Sequence, residues 1–338
     1  MKSILVTGGC GFLGKYLLKN LIRTFHTAKF HILDLKSNDN TSITSNTNPR
    51  INFHLDCDIT NYDSLHENFK NIDIVIHLAG LVSFNLKDKE NLYKVNVKGT
   101  ENVAKACLQH KVKHLFHISS VAALGYKDNP KDLVNEQFKF NWKIAKKRKK
   151  YYMLTKFLGD QVIKTYRNKG LKATILYPGL MWGPGDVTNS SKLIRAIKNK
   201  KIPFNMPGGT NIIDVRDVAR GIAMAVRSHQ NQDMLLSGYN LSFTNINNTI
   251  ASQLSVPPPS ITLPKIANYP LYKLLLWNER LKKTPPTLPA DNFDSACKLR
   301  YFTNQRAKHQ INWQPKIPFE QTIQETIEWM QKNDLFKE

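Results

Sequence analysis

Residues Lys2 to Leu17 read KSILVTGGCGFLGKYL, and this stretch decides the fold. Ser3 to Thr7 (SILVT) is a short apolar, β-branched run closed by glycines, the pattern of a buried strand. Beyond it, Leu13, Leu17, Leu21 and Phe25 recur every four residues and mark one face of a helix. Gly8, Gly11 and Gly14 stand between strand and helix at Gly-x-x-Gly-x-x-Gly spacing. In such a turn the first glycine permits the tight bend and the second lets a pyrophosphate approach the backbone. The third lets helix and sheet pack closely. The helix N-terminus then offers free N–H groups and a partial positive charge to an anion.

An acid follows where a dinucleotide site needs one. Phe30 to Leu33 (FHIL) forms a second strand that ends at Asp34, 20 residues after Gly14. Asp34 would accept hydrogen bonds from the hydroxyls of the adenosine ribose, and its charge would repel a 2′-phosphate. NAD is therefore expected over NADP. Lys36 pulls the other way and leaves NADP open. The bland readings are a glycine-rich turn with no ligand and an aspartate that merely ends a strand.

Strands and helices continue to alternate. Ile51 to Leu55, Ile72 to Leu78, Val112 to Ser119 and Ala173 to Tyr177 read as strands, with helices over Leu92 to Leu108 and Lys146 to Arg167. That order predicts an α/β protein: a Rossmann-type, doubly wound parallel sheet covered on both faces. After Pro178 the rhythm breaks into Gly- and Pro-rich stretches (PGLMWGPGD, MPGG, then repeated prolines), ending in a helix near Phe319 to Gln331. The expected division is an NAD-binding domain over 1–180 and a smaller, irregular substrate domain over 181–338. Residues 212–240, beginning with the strand-helix piece Ile212 to Val226, are expected to return to the main sheet.

Composition narrows the class. Hydrophobic residues make up 41 % of the 338 and charged residues 22 %, which excludes a disordered or fibrous chain. The four cysteines are far apart and form no CxxC pair, so a zinc ribbon or disulfide scaffold is excluded and a reducing compartment is the simplest home. The N-terminus has no signal-peptide core, and the greasiest later run, Leu271 to Trp277, is far below the ~20 residues that cross a bilayer. A soluble, cytoplasmic protein is expected.

Tyr152 and Lys156 lie four apart in a helical stretch, YYMLTK. Four residues turn a helix by about 400°, so both side chains share one face, about 6 Å apart along the axis. A tyrosine with its pKa near ~10 is a poor base at neutral pH, and an ammonium beside it favours the phenolate. Ser120, at the end of the strand VKHLFHISS, could hydrogen-bond a substrate oxygen as charge develops there. YxxxK alone is common by chance; it gains force from the dinucleotide turn and the strand-end serines ahead of it.

TGGCGFLG, Asp34, DIT at 58–60, HLAG at 77–80, NVKGTENV at 96–103, SSVAALG and YxxxK together resemble the extended short-chain dehydrogenase/reductases. YPGLMWGPGD, IDVRDVARGIAMAV and NWQPKIPFEQTIQETIEWM carry the likeness through nearly the whole chain. The branch it resembles most is the dihydroflavonol-reductase-like and 3β-hydroxysteroid-dehydrogenase-like one. The resemblance implies that Phe12 and Leu13 present N–H groups to the pyrophosphate and that Asp58 and Ile59 border the adenine. Leu78, Ala79 and Gly80 would flank the adenosine side, Asn96 would brace the cofactor side, and Pro178 to Leu180 would line the nicotinamide. Ser120 rather than Ser119 matches the catalytic serine, Tyr152 the acid/base and Lys156 the residue that holds the nicotinamide ribose. Two departures stand out. Tyr177 occupies the place of a frequent arginine, and none of Arg195, Arg216 and Arg220 sits in a clear diphosphate-gripping motif.

Six of the eight residues from Lys143 to Lys150 (KIAKKRKK) are basic in a chain of net charge +23. They read as a solvated helix start, or as an attraction to an anionic substrate or membrane surface. No nucleic-acid-reading motif accompanies them. His77, His114 and His117 sit on strands without metal-ligand spacing, so no metal is expected. The leading expectation is an NAD(P)-dependent oxidoreductase acting on a secondary alcohol or ketone of a hydrophobic, steroid-like or polycyclic small molecule. The alternatives are a nucleotide-sugar epimerase or dehydratase with tightly bound NAD, and a non-catalytic dinucleotide sensor or surface-binding protein. An anionic membrane surface and a second copy of the chain (a homodimer) stay open as partners.

Overall fold

A computed structural model describes residues 2–35, 48–129, 131–281 and 288–336. Lys36, and with it the expected opposition to Asp34, lies outside the described residues, as do Pro285 and Pro286. Ten strands form among the described residues: β1 (Ser3–Thr7), β2 (Lys29–Asp34), β3 (Ile51–Leu55), β4 (Ile74–His77), β5 (His114–Ile118), β6 (Ala173–Pro178), β7 (Leu180–Trp182), β8 (Gly209–Asp214), β9 (Met234–Leu236) and β10 (Tyr239–Ser242). Seven of them make one sheet in the order β3-β2-β1-β4-β5-β6-β9, and every pairing in it is parallel. This is the expected doubly wound α/β sheet. The strand order reverses between β1 and β4, which opens a crevice at their C-terminal ends.

Alternation along the strands supplies two cores. Ile4, Val6, Ile32, Ile76 and Phe116 face the helix Phe12–Thr24, the helix Val215–Arg227 and Trp313. Leu5, Leu33, Val75, Leu115 and Ile175 face the other way, toward Val103, Cys107 and Ile163 of the helices Thr100–Gln109 and Tyr151–Asn168. Each such fully buried aliphatic side chain contributes about 1.5–3 kcal/mol relative to exposure.

Three expectations are corrected. The predicted return of the strand at Ile212 to the main sheet is divided: β8 pairs with β7 and β10 in a separate three-stranded sheet, and β9 enters the large one beside β6. The helix after β8 packs against Phe12–Thr24, so helix and strand part company. The helix predicted over Leu92 to Leu108 is three pieces, Lys89–Tyr93, a π-helical stretch Lys94–Gly99, and Thr100–Gln109. The helix predicted from Lys146 begins at Tyr151, because Lys149 adopts left-handed backbone (φ 53°) and separates it from the short helix Trp142–Lys147. The run Leu271 to Trp277 lies within the helix Asn268–Leu281 and has two unlike faces, Tyr272 and Leu276 buried, Leu274 and Trp277 exposed.

β7, β8 and β10 carry a third core in which Trp182, Ile212, Ile246 and Ile250 meet Phe319, Ile323 and Ile327 of the C-terminal helix Phe319–Lys332. β7 follows β6 directly, so this layer begins where the chain leaves the C-terminal end of a strand of the large sheet. No helix among the described residues is long and apolar enough to cross a membrane.

Candidate active site

The turn after β1 is built around two glycines that nothing else can replace. Gly8 has φ +70°, and a Cβ on it would stand 2.6 Å from the backbone nitrogen of Ala79. A Cβ on Gly14 would stand 2.1 Å from the carbonyl oxygen of Gly9, so the helix could not sit this close to the turn. Gly11 differs: its absent Cβ would meet only the Gly8 carbonyl at 3.3 Å, leaving the backbone open to the cleft. Gly11 also caps the helix without any side-chain hydrogen bond, and no acid occupies the first turn. The free N–H groups and the helix dipole there favour an anion.

Asp34 ends β2 beside this turn. One of its oxygens accepts from the Cys10 N–H at 2.8 Å, which ties the acid to the glycine turn. Burial, with Asp34 beside it, pushes the Cys10 thiol up to about 11, so it stays protonated. These features fit a dinucleotide: an uncapped helix end for phosphates, a backbone surface without side chains, and a carboxylate for a ribose.

The turn opens into a cleft of ≈ 1950 Å³. Gly8, Gly11, Phe12, Leu13, Gly14, Asp34, Asp58, Ile59, Leu78, Ala79, Gly80, Ser120, Tyr152, Lys156 and Pro178 all line it. Asn96 does not line it; it braces the wall from behind. Its Oδ1 accepts from the Leu81 N–H at 2.8 Å, and its Nδ2 donates to the Leu81 carbonyl at 2.9 Å and to the Thr155 hydroxyl at 3.2 Å. Asn96 sits in the π-helical stretch, the kind of helix irregularity that re-aims a side chain at functional sites.

Ser120 caps a short helical turn by accepting from the Ala122 N–H at 3.2 Å, which fixes its hydroxyl at the end of β5. Burial raises the Tyr152 pKa above 10, and a hydrogen bond with Ser120 opposes that rise. The ring of Phe84 packs edge-on against Tyr152 at 5.5 Å, a contact that no sequence motif announces. One turn along the same helix, Lys156 donates to the Ile118 carbonyl at 3.3 Å, and burial pushes its pKa down to about 8. A Tyr–Lys pair on one helix face, with a hydroxyl donor across from it, can move a proton to or from an alcohol oxygen held between them.

The arginines sort themselves by partner. Arg216 is held by Asp214 and Glu325, and Arg220 by Asp217 and the Gln314 carbonyl. Neither is available to a diphosphate. Arg195 lines the cleft, and so does Arg300, which the sequence reading did not single out. The Nε atoms of both are buried without a hydrogen-bond partner among the described residues. His77, His114 and His117 are all buried within the sheet.

The sequence matches the 3-beta hydroxysteroid dehydrogenase/isomerase family over residues 5–249. It is 25 % identical to a sterol-4-alpha-carboxylate 3-dehydrogenase, decarboxylating, of Mus musculus, over 97 % of this chain and 90 % of that protein. It is also 25 % identical to a 3beta-hydroxysteroid-dehydrogenase/decarboxylase (isoform 3) of Arabidopsis thaliana, covering 98 % of this chain but 62 % of that one. Among solved structures, that of gox2253 superposes with a TM-score of 0.81 at 25 % identity, covering 98 % of this chain and 99 % of the other.

Proposed function

The chain belongs to the 3-beta hydroxysteroid dehydrogenase/isomerase family, within the NAD(P)-dependent extended short-chain dehydrogenase/reductases, and we propose that it interconverts a secondary alcohol and a ketone on a hydrophobic, polycyclic substrate. The reading is supported above all by one observation: Ser120, Tyr152 and Lys156 share a single cleft with the glycine turn and Asp34. A bound nicotinamide would supply the hydride acceptor or donor. The N–H groups of Phe12 and Leu13 would hold the pyrophosphate, and Asp34 the ribose.

The chain's own side chains handle the proton. In oxidation Tyr152, as phenolate, takes the proton from the substrate hydroxyl; in reduction it gives that proton to the carbonyl oxygen. Burial alone would keep Tyr152 neutral. The Ser120 hydroxyl and the Lys156 ammonium offset that burial by favouring the anion. Ser120 also holds the substrate oxygen in place as charge builds on it. Leu81, Val82 and Phe84 form an apolar lip beside Tyr152 that suits a flat hydrocarbon skeleton.

Arg195 and Arg300 in the same cleft favour a second reading, a nucleotide-sugar epimerase or dehydratase in which the hydride returns to the substrate. Absorbance at the nicotinamide band decides between them. Net reduction of added NAD by 3β-hydroxysteroids supports the dehydrogenase. Conversion of a UDP-sugar with no net absorbance change overturns it.

For partners, the helix Asn268–Leu281 presents Tyr269, Leu274, Trp277 and Leu281 to solvent, with Ile266 just before it 88 % exposed and Lys265 and Lys273 alongside. Apolar side chains with basic neighbours suit a peripheral seat on an anionic membrane, where a hydrophobic substrate would also reside. The same face would serve a second copy of the chain. The four cysteines are free and buried, which suits a reducing compartment such as the cytoplasm.

A further inference from the structure

Beneath Lys156 lies a buried polar cluster that the reaction above does not use. Asp160 follows Lys156 by one helical turn on the same face and is 2 % exposed. Across from it, on β5, His117 is equally buried, with Nε2 3.6 Å from Asp160 Oδ1. Neither ring nitrogen of His117 has a hydrogen-bond partner among the described residues. The hydroxyl of neighbouring Ser119 is turned to Asp160 and favours its ionised form. From β6 the Tyr177 side chain reaches Asp160. A neutral phenol therefore stands where an arginine would have supplied a fixed countercharge.

The remaining charges around the cluster are spoken for or distant. Arg167, on the same helix, forks onto Asp233 and donates to the Ala173 carbonyl. Lys164 favours the ionised form of Asp160, and Asp233 opposes it. His77, on β4, lies tilted against His117 with ring centres 5.2 Å apart, and its nitrogens are taken by Thr7 and Thr100. Burial holds both histidines neutral, since their pKa values are driven well below the ordinary range. Lys156 and Lys164 each stand one helical turn from Asp160; Lys164 is exposed, and Lys156 is the buried one.

We propose that Asp160 is a positioning residue for the reaction: ionised, it keeps Lys156 in the ammonium form that the Tyr152 phenolate needs; protonated, it turns its hydrogen to Nε2 of His117 and gives up that hold. Neighbours compete for one carboxyl group: Lys156 and the Ser119 hydroxyl favour the anion, while the neutral imidazole can accept from the acid. Burial raises the Asp160 pKa to about 7 and lowers that of Lys156 to about 8. Both groups thus titrate close to neutrality, where a change in one is felt by the other. The inference rests on Lys156 acting as an ammonium beside Tyr152, as proposed above, but its test needs no substrate.

Protein labelled with 13C at lysine Cε reports each amine's ionisation by NMR, and Lys156→Met identifies the resonance of interest. Asp160→Asn should move the Lys156 midpoint down by roughly one pH unit, the usual scale for losing a nearby opposite charge. Asp160→Glu, which keeps the charge, should restore it. In the wild type the same resonance should show a second, smaller inflection as Asp160 ionises, so a misfolded variant does not end the test. A single inflection in the wild type, or a midpoint unmoved in Asp160→Asn, overturns the proposal. If Tyr152→Phe kept full turnover while the midpoint moved as expected, the proton-relay reading would fail and the Lys156–Asp160 coupling would stand.

Discussion

The Lys150 ammonium stands 2.9 Å from Oδ1 of Asp291, with the lysine side chain fully buried and the aspartate nearly so. It also reaches Asp294 Oδ2 at 2.8 Å and donates to the Ser295 hydroxyl at 2.8 Å. Two residues before Tyr152, the start of the helix Tyr151–Asn168 is therefore tied to the helix Ala290–Ala296. Arg148 adds a second tie to Asp294 at 2.9 Å and lies over the Tyr272 ring. The basic run is not one surface: Lys143, Lys146 and Lys147 are exposed, while its last member is a buried structural cation.

Lys150→Met should therefore cost stability, not steering. Removing one partner of a buried ion pair leaves uncompensated carboxylates and typically costs about 3–5 kcal/mol. Thermal unfolding should show a large drop in Tm for Lys150→Met. The exposed Lys146→Gln and Lys147→Gln should stay within about 0.5 kcal/mol of wild type. Equal melting curves for all three would refute the assignment.

Tyr152→Phe deletes one hydroxyl and keeps the ring that packs against Phe84. Turnover should fall by at least about a hundredfold, the usual scale of general acid–base catalysis, with dinucleotide affinity nearly unchanged. In the wild type, the burial that lowers Lys156 to about 8 sets the sign of the pH dependence. The ammonium is present below that value and lost above it, so kcat should decline on the alkaline side of about 8. A rate that kept climbing through pH 10 would contradict a relay that depends on that charge.

Asp34→Ala should weaken NAD binding and narrow the gap to NADP, because a ribose acceptor and a charge that repels a 2′-phosphate both disappear. The same change removes the acceptor for the Cys10 N–H, so the glycine turn should loosen as well. Fluorescence titration with each dinucleotide gives both constants. A wild type that already prefers NADP tenfold would reverse the cofactor assignment.

Leu274→Glu with Trp277→Glu places two charges on the exposed face of the helix Asn268–Leu281. Both side chains are more than half exposed, so the fold should tolerate the change. Co-sedimentation with phosphatidylserine-containing vesicles should drop several-fold, and the wild-type binding should weaken as salt rises. Sedimentation without vesicles tests the second copy: a wild-type dimer that the double variant dissolves would assign the face to self-association.

The features legible in the sequence are those encoded over a few residues. Gly8, Gly11 and Gly14 announce the turn because φ and close approach are local demands. A short apolar run closed by glycines announces β1, recurrence every four residues announces the helix behind it, and Tyr152 and Lys156 share a face wherever their segment is helical. Asp34 is legible as the acid that closes a short apolar run 20 residues after Gly14. Other features are settled only by distant partners. The break at Lys149 and the π-helical turn at Asn96 depend on what the helices pack against; Asn96 bonds to Leu81 and Thr155. β8 leaves the main sheet because its partners are β7 and β10, a choice its own apolar residues do not specify. Lys150 looks like any surface lysine until Asp291, 141 positions away, is brought beside it. Arg300 enters the cleft and Asp160 meets His117 in the same manner. Burial and the sign of a neighbouring charge arise only when separate segments pack together, and short-range patterns carry no record of that.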